Sequence, residues 1–142
     1  MENTTSRKIS MDFVFRFLLI VAVVALLVTA AFYVFHVHSR ARFALREAKN
    51  VRLALATADI EMYPTGGCIY APEKRNGLAD GVMEKVKRYA GVSEGVTLLD
   101  YDKKNREILR FTYRTENYLV SYDHEGEDGG WRVDLLTRIF VY

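Results

Sequence analysis

A chain of 142 residues, half of them hydrophobic, is long enough for one modest folded domain and too short for a multidomain enzyme. Twenty Lys and Arg against eighteen Asp and Glu leave a net charge of +2, which lacks the basic footprint of a general nucleic-acid binder, so no nucleic-acid partner is expected. The lone cysteine, Cys68, excludes an internal disulfide scaffold and a four-thiolate zinc cage, so packing must hold the fold.

Residues 1–10 read as a short polar tail carrying Arg7 and Lys8. From Phe17 to Phe35 the chain then runs through nineteen residues with no charge, no Pro and no Gly. A hydrocarbon core of about 30 Å needs about 20 helical residues, which this run supplies once Val14 and Phe15 or Val37 are added. Two other readings compete. A buried core helix would need a far larger protein around it. A cleaved signal peptide would use Val28, Thr29 and Ala30 as its processing site, but Phe32, Tyr33, Val34 and Phe35 extend the apolar run past that point. Within the run, Ala22, Ala25, Thr29 and Ala30 offer small surfaces for close helix packing in lipid.

Neither Gly nor Pro occurs between Met11 and Tyr63, so the pattern predicts one helix of about fifty residues, on the order of 75 Å long. Residues 11–38 form its transmembrane part and residues 39–63 an amphipathic stem. The stem's apolar stripe is Leu45, Ala48, Val51, Leu55 and Ala58, with Arg42, Arg46, Lys49, Arg52 and Glu61 mostly off it. Pro64, Gly66, Gly67 and Pro72 then open a loop running to about Gly77. A short amphipathic helix is expected from Leu78 to Tyr89, burying Leu78, Val82, Val86 and Tyr89 and stopping at Gly91.

From Gly95 the period switches to two, giving strands at Val96–Tyr101, Ile108–Arg114, Tyr118–Tyr122 and Trp131–Tyr142. The second strand sets Leu109, Phe111 and Tyr113 against Arg110, Thr112 and Arg114, and the fourth sets Trp131, Val133 and Leu135 against Arg132 and Asp134. Such short connections force an antiparallel meander with one apolar face. The expected class is α+β: residues 64–142 form a small domain whose four-stranded sheet packs on the stem.

This order of elements resembles type IV pilins and the pseudopilins of type II secretion. The membrane exit is similar too, with Phe32-Tyr33-Val34 leading into an Arg- and Ala-rich stem, His38-Ser39-Arg40-Ala41-Arg42-Phe43-Ala44-Leu45-Arg46-Glu47-Ala48. The resemblance implies a membrane-anchored structural or assembly subunit of a pilus or pseudopilus. Its partners would be membrane lipids and other pilin-like subunits or assembly proteins, engaged through the N-terminal helix. The chain departs from the family pattern at the leader. No Gly precedes the run, and a cut after Ser10 would put Phe15 where such pilins carry Glu, leaving Asp12 and Arg16 to form an i, i+4 pair. A bitopic protein with a small binding or recruitment domain, and no filament, is the alternative.

Arg40, Arg42, Arg46 and Lys49, followed by Arg52, form a basic collar suited to lipid headgroups. Counted against Arg7, Lys8 and Arg16, the collar favours a cytoplasmic domain, whereas the resemblance implies an extracytoplasmic one. No cofactor and no catalytic constellation is read. Cys68 has only His124 as a candidate base, and His36 and His38 point about 200° apart on a helix, so they cannot share an ion. Asp123, Glu125, Glu127 and Asp128 share a Gly-rich hairpin whose oxygens suit calcium, though more often such a loop is simply solvated. Tyr101, Phe111, Tyr113, Tyr118, Tyr122 and Trp131 are read as cross-strand packing rather than as a ligand platform.

Overall fold

The computed structural model describes residues 11–92, 94–126 and 130–136. Helix α1 spans Met11–Met62 and a single 3-10 turn, Tyr63–Thr65, follows it. Helix α2 spans Val82–Ala90. The strands are β1 (Val96–Asp102), β2 (Glu107–Arg114), β3 (Tyr118–Asp123) and β4 (Trp131–Leu135), in the order β1-β2-β3-β4 with every pair antiparallel. The chain is therefore α+β, with the long helix and the meander expected from its periodicity.

Two compact units divide at residue 39, and α1 contributes to both. In the first, residues 12–35 are exposed throughout, with side chains such as Leu26 71% accessible. An apolar surface of that extent on one helix is what a lipid solvent accepts and water does not. By length and hydropathy this helix is able to cross a membrane. Thr29 hides its polarity by donating its hydroxyl to the carbonyl of Ala25 at 2.6 Å, which leaves its methyl outward.

In the second unit, residues 40–142, α1 buries Ala44, Ala48, Val51, Ala54, Leu55 and Ala58 in one core with α2 and the sheet. Small residues dominate this stripe, so the helix can lie close to the aromatic sheet face. Leu45, expected in the stripe, is only half-buried, and Ala44 and Ala54 take part instead. The loop after Thr65 is more ordered than Gly and Pro alone suggest. Tyr70 bridges Leu78, and the Leu98 N–H donates to the Asn76 carbonyl at 2.8 Å, so the loop closes the outer edge of β1. Gly77 is required there: its φ is +66°, and a Cβ would stand 1.9 Å from the Leu98 carbonyl oxygen.

Helix α2 begins at Val82 rather than Leu78, because Gly81 takes φ +77° immediately before it. Leu78 is buried all the same, whereas Tyr89, expected inside, remains 42% exposed. Between β1 and β2 the ladder slips: Leu98 pairs with Phe111, Asp100 with Arg110 and Tyr101 with Ile108, leaving Leu99 and Leu109 unmatched. Strict alternation would send Leu109 inward. The irregularity buries Ile108 and Tyr101 instead. Strand β4 ends at Leu135, Leu136 is irregular, and the expected continuation over 137–142 lies outside the described residues.

Candidate functional site

The β1 irregularity has a chemical result. It turns Tyr101 toward α1, where its hydroxyl donates to Asp59 Oδ1 at 2.9 Å. Asp59 is 5% exposed, a burial that a carboxylate tolerates only when paired. Arg106 supplies the pair from the β1–β2 turn, with Nε 2.9 Å from Oδ2 and Nη2 2.7 Å from Oδ1. The same guanidinium reaches the Gly67 carbonyl at 3.3 Å and lies 5.0 Å from the Tyr63 ring centroid. Arg106 is also the one non-Gly residue described with positive φ, +55°. Burial, then the hydrogen bond and charge of Asp59, raise the Tyr101 phenol well above its ordinary value. Burial opposes the charge on Arg106, but the Asp59 hydrogen bond and charge prevail and its pKa rises.

Beside this latch lies a groove of ≈ 680 Å³, framed by the last turns of α1 and the β1–β2 turn. Its helical side presents Leu53 and Ile60 of α1 and Tyr63 of the 3-10 turn, which are 67%, 72% and 66% exposed. The stem thus has two apolar faces, one sealed under the sheet and one open. A second polar knot ties the same helix end to α2: Glu61 accepts hydrogen bonds from both Lys85 and Tyr89. Those bonds, that of Lys85 first, hold the Glu61 pKa below the usual carboxylate range.

The residues singled out from the sequence fall into separate places. Ala22, Ala25, Thr29 and Ala30 are exposed on the first unit's helix. Asp12 and Arg16 form no ion pair, and none involves Arg40, Arg42 or Arg46 among the described residues; all three arginines are exposed, and Lys49 lies 5.9 Å from the Trp131 ring. Cys68 and His124 have different partners: the Cys68 Sγ accepts from the Tyr70 N–H at 3.4 Å, whereas His124 Nδ1 faces Glu107 at 3.3 Å. Asp123 and Glu125 share a turn in which the Glu125 N–H donates to Asp123 Oδ1, while Glu127 and Asp128 lie outside the described residues. Among the described residues no group of three or more His, Cys, Asp or Glu side chains is placed to hold a metal, His36 and His38 included. The aromatic residues are core. Phe111 stands 5.7 Å from Tyr122 and 5.9 Å, edge-on, from Trp131.

The sequence reading missed both Asp59 and the groove. Asp59 sits next to the buried stripe at Ala58, where an acid at helical core spacing is the available signal. Leu53, Ala56, Ile60 and Tyr63 repeat at three and four residues, a second stripe masked by the stronger first one. In comparisons with protein families, with curated proteins and with solved structures, none matches this chain.

Proposed function

We propose that this chain is a single-pass, pilin-like assembly subunit, held in the membrane by the first part of α1 and acting by protein–protein contact rather than by catalysis. One observation supports it above the rest: α1 supplies both a wholly exposed apolar surface over residues 17–35 and the central buried stripe of the folded unit from Ala44 to Ala58. Anchor and domain core are thereby drawn from one helix, which suits a membrane-held subunit that acts by contact. On this reading Ala22, Ala25, Thr29 and Ala30 meet equivalent helices of neighbouring subunits. Arg40, Arg42, Arg46 and Lys49 rest against lipid phosphates, and the domain is extracytoplasmic.

The test is a fusion of alkaline phosphatase after Tyr142, read together with the mass of the chain extracted from membranes. High phosphatase activity and loss of about ten N-terminal residues are the pattern of a processed pilin-like subunit. An intact start at Met1 with an inactive fusion would replace this reading with the bitopic binding module, which the open groove on α1 favours.

A further inference from the structure

The chain's positive charge is concentrated in one stretch of α1. Residues 40–49 carry Arg40, Arg42, Arg46 and Lys49 against a single acid, Glu47, so this stretch is net +3 and the rest of the chain net −1. All four cations are exposed, and among the described residues none of them forms an ion pair. Glu47 is half-buried and faces β2, where it accepts a hydrogen bond from the Tyr113 hydroxyl at 3.4 Å. Arg42, Arg46 and Lys49 stand at i, i+4 and i+7 and share one side of the helix, roughly opposite the buried stripe of Ala44, Ala48, Val51 and Leu55. Like charges at such spacings repel and weaken a helix, so the stripe is suited to an anion from outside the folded unit.

Continuity decides which anion. Helix α1 is unbroken from Met11 to Met62, and Arg40 follows the last of the nineteen uncharged residues, Phe35, by only five positions. Cations clustered next to a membrane-spanning run meet the headgroup layer before any other anion. A guanidinium takes a phosphate through two parallel N–H donors. A zwitterionic headgroup cancels its own phosphate with an ammonium group, whereas a stretch of net +3 is neutralised only by lipids of net negative charge. Lys49 is already placed 5.9 Å from the Trp131 ring centroid, which leaves the three arginines as the free donors.

We propose that Arg40, Arg42 and Arg46 select phospholipids of net negative charge over zwitterionic ones, with Lys49 adding to the field without taking a headgroup. The inference rests on the anchoring of α1 in lipid proposed above and is independent of the side of the membrane on which the folded unit lies.

The experiment places the full chain in phosphatidylcholine nanodiscs containing a trace of spin-labelled phosphatidylglycerol or spin-labelled phosphatidylcholine. The motionally restricted fraction of each label counts the lipids held on the protein. Phosphatidylglycerol is expected to be preferred at least about fivefold, and the preference to shrink in high salt. Arg42→Gln with Arg46→Gln is expected to bring the ratio below about twofold without moving the thermal midpoint, because both side chains are exposed. Arg42→Lys with Arg46→Lys, which keeps the charge, is expected to retain most of the preference, and Lys49→Gln to remove the least. Equal restriction of the two labels, or a preference that survives the double Gln variant, overturns the inference and leaves the anchor standing. Displacement of the label by inorganic phosphate beyond the effect of chloride at equal ionic strength also overturns it, since the stripe would then be a site for a free anion. So does capture of a labelled Glu-rich peptide through Arg42 and Arg46 with no lipid preference, since the partner would then be an acidic protein. Failure of the chain to enter either kind of nanodisc overturns the anchoring itself, and this inference with it.

Discussion

Asp59 concentrates the polar energetics of the folded unit in one side chain. Its carboxylate is buried and joined to Tyr101 and to both nitrogens of one edge of Arg106, so removing it strands a cation and a hydroxyl rather than one contact. Asp59→Ala is expected to cost about 3 kcal/mol in denaturant unfolding, and Asp59→Leu combined with Arg106→Met to recover much of that loss. If the single and double variants prove equally unstable, the pair is not what the site depends on. Tyr113 offers a second check through pH. Burial first, then the charge and hydrogen bond of Glu47, push its pKa up to about 12. A phenol whose folded pKa is raised contributes stability that is fully present below its unfolded pKa, about 10, and lost as pH climbs through the folded value. Stability is therefore expected to fall between about pH 10 and 12, and ultraviolet titration to show Tyr113 and Tyr101 ionising after the exposed tyrosines. Tyr113→Phe is expected to reduce that alkaline slope; an unchanged slope would count against the assignment.

Among the elements, α1 and the meander were legible in the sequence because each obeys a single period. Nineteen uncharged residues, the Ala48-Val51-Leu55-Ala58 stripe and the β-branched and aromatic strands leave little choice of class. What escaped was set by contacts between distant segments. The slip that buries Ile108 and Tyr101 in place of Leu109 arises from pairing β1 with β2, which neither strand announces alone. The Asp59–Arg106 latch joins residues 47 apart. The open stripe at Leu53 and Ile60 follows the same helical period as the core stripe, and only the position of the sheet says which of the two is covered. The loop that seals the β1 edge shows the same dependence. Its Gly77 is fixed by φ +66° and by the Leu98 carbonyl 1.9 Å from where a Cβ would be. Gly77→Ala must pay the left-handed backbone cost and also displace β1, so a loss of more than about 2 kcal/mol is expected in thermal unfolding, with faster exchange of the Leu98 amide. Gly66, which has φ +71° but nothing within 4 Å, is the control: Gly66→Ala is expected to lose only about 1 kcal/mol.

At the scale of the whole molecule, the two units present different surfaces. Residues 17–35 present apolar side chains on every side of the helix, and the described residues from Arg40 onward enclose a core under a sheet whose other face carries Arg110, Arg114 and Arg132. The change of surface falls at the boundary between the two units, beside which Arg40 and Arg42 stand exposed. The proposed anchoring in lipid depends on this division, because water is a poor solvent for the first unit's surface. Limited proteolysis of the full chain in sealed membrane vesicles, opened to protease on both faces and read by mass spectrometry, measures it most directly. The account predicts a membrane-retained fragment covering Phe13 to Val37, together with a compact soluble fragment beginning near Arg40. Release of the intact chain by alkaline carbonate, or cleavage within residues 17–35 as readily as elsewhere, would contradict it.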